Sequence, residues 1–306
     1  STGPSVSKLV PKVRSSAKIL YFIYIGITLC EIVFLLFGGM SLFEALTLSF
    51  GTAGTGGFGI VNSSVADYSP FVQNTITVFM ILFGIDFTVY YLILTRRWRD
   101  ALKSDEYKVY LSVILVSALL ISVNCRYLFP DFATSLRHGF FQTASIITTT
   151  GYSTANFDLW PSLSKTILVV LMFVGACAGS TGGGIKVSRI LILLKSIRKE
   201  IKISMNGKTI EHETVRNVSV YIAVFLVLYA VSMLIISFDN LDFTTNFTAV
   251  AATINNIGPG LGLVGPVENF SLFSPLSKIV LSLNMLIGRL EIFPILMLFS
   301  PYTWKR

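Results

Sequence analysis

Three cysteines, two histidines and three tryptophans are all that 306 residues provide of these types, and charged side chains make up only 13%. Cys30, Cys125 and Cys177 lie inside or at the edge of apolar runs. At such spacings they form neither a disulfide framework nor a thiolate metal site, and they read as small packing residues. His138 and His212 are too far apart in sequence and setting to suggest a ligand pair, and His138 reads as a packed or interfacial residue. No candidate nucleophile–base pair is present, so nothing points to an enzyme. Two glycine-rich stretches fail as nucleotide sites. Gly54 to Gly59 fits G-x-G-x-x-G, but a helix precedes it where a dinucleotide fold needs a strand. Gly179 to Lys186 misses the phosphate-loop spacing by one residue and follows an apolar span.

Long hydrophobic runs are what the sequence does have. Hydrophobic residues reach 53%, and they cluster in 18–37, 70–94, 109–124, 164–178, 218–238 and 276–300. A helix needs about 20 apolar residues to cross a bilayer, so these runs predict an all-α polytopic membrane protein with six spans. The first residue is not Met and no cleavable signal peptide precedes the first span; the chain reads as a fragment or a processed product.

The net charge of +8 comes from placement, not from a nucleic-acid surface. Most Lys and Arg fall in the N-terminal arm, in 96–108, in 189–216 and at Lys305 and Arg306, while loops 60–69, 152–163 and 259–275 carry none. Cationic loops stay cytoplasmic, so both termini and both basic linkers are expected inside. Trp98 and Trp304 then mark the inner interface and Trp160 the outer one. The run 188–208 suits anionic lipid or an acidic partner surface equally.

Six spans with basic linkers inside make three out-and-back pairs. Their outer connectors are SLFEALTLSFGTAGTGGFGIVNSS, DFATSLRHGFFQTASIITTTGYSTANF and LDFTTNFTAVAATINNIGPGLGLVGP. Each starts with two to three helical turns and runs into Gly with Thr or Asn. Aligning Gly56, Gly151 and Gly258 gives three repeats, residues 1–98, 99–207 and 208–306, each a helix–half-helix–helix. Irregular backbone at membrane depth is tolerated only where protein buries it or where it lines an aqueous cavity. Three copies around one axis satisfy this by lining a pore, with extended carbonyls replacing a cation's hydration shell. Neutral oxygens suit that task, and acids outnumber bases in the outer connectors, as a cation-collecting vestibule requires.

The motifs TTTGY (148–152), GTGGF (54–58), NNIGPGLG (255–262), GACAGSTGGGIK (175–186) and LIGRLEIFP (286–294) together resemble the Trk/Ktr/HKT superfamily of potassium transporters, most of all its bacterial TrkH/TrkG branch. The resemblance implies potassium uptake through four helix–pore-loop–helix repeats around a pseudo-fourfold pore, of which this chain holds the second to fourth. It implies a filter at Gly54, Thr55, Gly56, Thr149, Thr150, Gly151, Asn256, Ile257 and Gly258. Transported K+ would be bound at Thr55, Gly56, Thr150, Gly151, Ile257 and Gly258; it is cargo, and no other cofactor is implied. The partners implied are a cytosolic TrkA-like ring of nucleotide-binding subunits, a second copy in a homodimer, membrane lipid, and a first repeat from the full-length chain. The implied location is the bacterial inner membrane.

Gly175 and Gly179 form a helix-packing motif, whereas Gly182-Gly183-Gly184 should break the span, since Gly costs about 1 kcal/mol against Ala within a helix. In the family this break is a gating loop below the filter, which assigns Gly179, Ser180, Thr181, Gly182, Gly183 and Gly184 to a gate. Lys186 fits either a gate charge or the first snorkelling residue. Arg289 is a charge in an apolar run and needs a cavity or a partner. Glu291, two residues on, does not face it, and the resemblance puts this arginine in the ion path. Glu31 and Asp86 read as packing or hydrogen-bonding acids, with ion attraction from the inside as the alternative. A sodium-coupled secondary transporter with discontinuous helices is the competing reading, although its repeats would usually be inverted.

Overall fold

A computed structural model describes residues 13–204 and 212–290; Glu291, Trp304 and the basic C-terminus lie outside them. The described residues form twelve α-helices and a few single 3-10 turns, with no strand among them. In chain order these are α1 (Val13–Phe37), α2 (Leu42–Ala53), α3 (Pro70–Phe83), α4 (Phe87–Leu94), α5 (Trp98–Ala101) and α6 (Asp105–Asn124). There follow α7 (Phe132–Ile147), α8 (Ser162–Val174), α9 (Val187–Ser204), α10 (His212–Ile236), α11 (Phe243–Ile254) and α12 (Pro275–Arg289).

Helices α1, α6 and α10 contain stretches long and apolar enough to cross a membrane. Their outward faces are apolar: Phe22 is 73% exposed and Phe37 82%. Water would penalise such faces, whereas hydrocarbon accepts them. The run 70–94, expected as one span, is instead α3 and α4 joined at an 88° bend. Gly84 ends α3, and the Asp86 side chain caps α4 by accepting from Thr88 N at 2.8 Å. The run 164–178 is also shorter than expected, because α8 stops at Val174.

Three shorter helices, α2, α7 and α11, start with side-chain caps that satisfy otherwise orphaned backbone N–H groups. Ser41 and Glu44 form a capping box on α2. Asp131 accepts from Thr134 N at 2.7 Å and Asp242 from Thr245 N at 2.9 Å. Much of α7 is buried, including Gln142, Thr143 and Ser145. Small residues allow this: a Cβ on Gly139 would lie 2.3 Å from Ser122 Oγ on α6, and Ser135 Oγ donates to Ser122 O at 2.7 Å. Trp160 is no interfacial belt residue. It is 4% exposed and packs edge-on against Phe129 and Phe157, because the turn before α8 folds it into the core. His138 is packed as expected, stacked on Phe129 with Nδ1 2.8 Å from Thr154 Oγ1.

Candidate functional site: three half-helix turns above an irregular loop

The turns that end α2, α7 and α11 share one backbone design. Two residues beyond each helix, Thr55, Thr149 and Asn256 are left-handed, with φ of 49°, 58° and 56°. The next residues, Gly56, Thr150 and Ile257, donate to Gly51, Ser145 and Ala252 carbonyls at 2.8, 2.9 and 2.8 Å. Then come Gly57, Gly151 and Gly258, with φ of 63°, 90° and 106°. A non-glycine residue strings badly through such positive φ, which is why glycine recurs at this step.

This register corrects the alignment of the first turn by one residue. Gly57, not Gly56, is the counterpart of Gly151 and Gly258, so Gly54, Thr55 and Gly56 correspond to Thr148, Thr149 and Thr150. The doublet Gly56-Gly57 concealed this. The aromatic residue that follows was the available signal, since Gly57-Phe58 matches Gly151-Tyr152.

The turns nest in order. A Cβ on Gly57 would stand 2.0 Å from the Thr150 carbonyl oxygen, and one on Gly151 would stand 1.9 Å from that of Ile257. A Cβ on Gly258 meets nothing within 4 Å. The aromatic positions follow the same order. Tyr152 is fully buried and its hydroxyl donates toward Leu48 O (3.1 Å) and Phe58 O (3.3 Å), whereas Phe58 is 73% exposed. Between the first turn and the last lies an open cavity of about 840 Å³, lined by Gly56 and Phe58 on one side and by Asn256, Gly258, Met285 and Arg289 on the other.

Beneath the turns runs the irregular segment 175–186. Gly175 and Gly179 are not a helix-packing pair, because both lie outside α8 with φ of 71° and 78°. The chain leaves the helix there, earlier than the triple glycine alone predicts, and α9 resumes at Val187. Thr55 Oγ1 lies 3.0 Å from Thr181 O, and Gly183 N donates to Thr149 Oγ1 at 2.6 Å. A Cβ on Gly182 would come 3.0 Å from Thr148 O, and one on Gly183 2.6 Å from Asn255 O. The loop therefore touches the carbonyl ends of all three half-helices. It is also tied to the bend after α3: Cys177 N donates to Gly84 O (3.0 Å), Thr181 N to Phe83 O (3.4 Å), and Phe87 N to Gly179 O (3.2 Å).

Arg289, in the last turn of α12, reaches across this floor. Its Nη1 donates to Thr181 O and Thr55 Oγ1, both at 3.2 Å, and Nη2 donates to Gly54 O at 3.0 Å. A helix C-terminus carries about half a negative charge on unpaired carbonyls, and the guanidinium satisfies that of α2. Lys186 Nζ donates to Gly182 O within the loop. Asp86 lies against the loop, its Oδ1 2.6 Å from where a Gly179 Cβ would be. Glu31 is fully buried in α1 with neither carboxyl oxygen hydrogen-bonded. Glu106, which no sequence motif marks, accepts backbone hydrogen bonds from both sides of the loop.

Outside the spans, two capping acids have altered acidity. Hydrogen bonds from the Thr134 backbone and side chain hold the Asp131 carboxyl below its ordinary range. The Thr245 hydroxyl and then its backbone N–H do the same for Asp242. Among the described residues, no group of three or more His, Cys, Asp or Glu is placed to hold a metal ion. What the turns offer a cation is neutral oxygen.

Comparison with known proteins agrees with this architecture. The family described as TrkH, cation transport protein, matches residues 126–305. The Trk system potassium uptake protein TrkH of Salmonella typhimurium is 33% identical across 98% of this chain and 64% of its own length. TrkG of Escherichia coli K12 is 29% identical across 97% and 64%. The crystal structure of the potassium transporter TrkH from Vibrio parahaemolyticus superposes with a TM-score of 0.87 at 30% identity, covering 98% of this chain and 67% of that one. The chain thus spans 64% of the length of the curated relatives it matches.

Proposed function

The chain belongs to the TrkH family of cation transport proteins, and from that premise we propose that it forms three walls of a membrane pore that conducts potassium. The observation that carries the proposal is the ordered nesting of Gly57 on Thr150 and Gly151 on Ile257, with Gly258 left open. Side-by-side turns of this kind stack backbone oxygens around an axis, where they can replace the hydration shell of a monovalent cation. The relatives named for potassium uptake support the choice of ion.

The three units, 1–98, 99–207 and 208–306, then stand as quadrants of a pseudo-fourfold ring. A fourth helix–turn–helix unit from the longer protein fills the cavity beside Phe58 and Gly258. In the corrected register the filter oxygens come from Thr55 to Gly57, Thr149 to Gly151, and Asn256 to Gly258. The loop from Gly179 to Lys186 is the gate. Its support is its position under the carbonyl ends of all three half-helices, and Arg289 holds it there through Thr181. A cation leaving the filter meets both the loop and a fixed positive charge.

The protein sits in the bacterial inner membrane, with both termini and the basic linkers in the cytoplasm. It works as a homodimer with a TrkA-like nucleotide-binding ring, which the basic run 188–208 helps to seat. The decisive experiment is cation flux into liposomes carrying the full-length protein, alongside a form deleted for the fourth unit. Full-length protein should take up potassium or rubidium in preference to sodium, and the deleted form should lose that preference. A folded, reconstituted full-length protein that passes no monovalent cation overturns the reading.

A further inference from the structure

We propose that Glu106 is a positioning residue for the intramembrane loop: its carboxyl clasps the loop's two ends together and so sets the loop's closed position. The proposal rests on the pore reading above and adds a regulatory element to it. One oxygen, Oε1, accepts from Ala178 N at 2.6 Å and from Ser188 N at 3.1 Å. Ala178 lies near the entrance of the 175–186 loop, and Ser188 lies in the first turn of α9 beyond its exit. Both donors need an outside partner. The first N–H groups of a helix have none within it, and Ala178 is in irregular backbone.

Glu106 can do this because α6 is itself fixed. Ser104 caps α6 by accepting from Tyr107 N at 3.4 Å, and the Tyr110 hydroxyl donates to Ile81 O of α3 at 3.1 Å. The neighbouring Asp105 pairs with Lys195 of α9 at 2.5 Å. The first turn of α6 thus holds α9 at two points, one charged pair on the surface and one half-buried clasp. A carboxylate near the N-terminus of α9 is further favoured by the helix dipole.

The mechanical consequence follows from the connections. The middle of the loop rests under the half-helix ends, while its neck is closed by Val187 N donating to Ala176 O at 3.0 Å. When α9 moves away from α6, the Ser188–Glu106 hydrogen bond is stretched together with the exposed Asp105–Lys195 pair, because Ser188 and Lys195 ride on α9 and the two acids do not. Once it parts, the backbone bond at the neck, from Val187 N to Ala176 O, is left to hold the loop's ends in register. A displacement of α9 is in this way passed to the gate.

The test compares Glu106→Ala, Glu106→Gln and, as a surface control, Asp105→Asn, all in the full-length protein reconstituted in liposomes. Two quantities are read: basal potassium flux per folded protein, with its potassium-to-sodium ratio, and hydrogen exchange of peptides covering 176–190. Glu106→Ala removes both hydrogen bonds and should raise basal flux at least roughly tenfold, the loss expected from even one charge-assisted hydrogen bond, with the ion ratio unchanged. Exchange should quicken in 176–190 and nowhere else. Glu106→Gln keeps a neutral acceptor oxygen and should fall between the two, and Asp105→Asn, which removes only a solvent-exposed pair, should quicken loop exchange far less than Glu106→Ala does. Unchanged loop exchange in folded Glu106→Ala protein overturns the clasp. So does general loosening that Glu106→Gln fails to rescue. Should Glu106→Ala not fold, unaltered loop exchange in Glu106→Gln overturns it equally. If loop exchange quickens as expected but neither wild type nor variant conducts, the clasp stands and the pore reading falls.

Discussion

Gly151 approaches Ile257 so closely that a side-chain carbon on the glycine would stand 1.9 Å from the Ile257 carbonyl oxygen. No rotamer relieves that contact, since both partners are backbone. Gly151→Ala should therefore open the turn and lower the potassium-to-sodium ratio in flux assays. Left-handed backbone alone costs a residue with a Cβ about 1–2 kcal/mol.

The same reasoning separates Gly56 from Gly57. A Cβ on Gly57 would collide with the Thr150 carbonyl at 2.0 Å, whereas one on Gly56 meets only the exposed Phe58 ring at 2.9 Å. Gly56 also lacks the positive φ. Gly57→Ala should impair selectivity as Gly151→Ala does, and Gly56→Ala should be distinctly milder. Equal effects in paired flux measurements would return the register to Gly56.

Gly183→Ala should favour the open loop. Its added carbon would lie 2.6 Å from Asn255 O, a backbone oxygen that cannot move without distorting the α11 turn. Raised basal flux at constant folded protein is the expected reading, and deletion of Gly182 to Gly184 should raise flux further. Flux unchanged by both would remove the loop from the gating mechanism.

Arg289→Ala should increase potassium uptake per folded protein. A positive charge ~6 Å from a passing cation costs about 3 kcal/mol at an effective dielectric of 20, so uptake could rise by up to roughly a hundredfold. The opposing outcome is loss of folded protein, because Arg289 also caps the carbonyl end of α2 through Gly54 O. Uptake normalised to folded protein in the membrane distinguishes a pore charge from a purely structural one.

Asp242 should contribute a pH-dependent share of stability. Its carboxyl titrates below the ordinary value because the Thr245 hydroxyl and N–H bond the charged form. A depressed folded-state pKa means that the contribution is present above the unfolded value, near 3.9, and is lost as pH falls through the folded one. Asp242→Ala should cost about 1 kcal/mol as a lost cap at neutral pH. The gap in melting temperature between wild type and variant should narrow on acidification below pH ~4.

Much of this was written in the residues themselves. Apolar runs with basic linkers specify membrane helices, because hydrocarbon excludes charge. Glycine beside threonine or asparagine after a short amphipathic helix marks a turn at membrane depth, and Arg289 announces itself as a charge in an apolar segment. What the sequence could not decide was set by contacts between segments distant in the chain. Two adjacent glycines leave the register of the first turn ambiguous until Thr150 packs against Gly57. The 70–94 run is apolar enough for one span, yet it bends at Gly84 because the loop from the next unit supplies hydrogen bonds to Phe83, Gly84 and Phe87. Trp160 has the amphipathic ring of an interfacial residue and is buried only because Phe129 and Phe157 close over it. Glu106 carries no motif at all, since its role depends on two backbone N–H groups more than seventy residues away that only the folded chain brings to one oxygen.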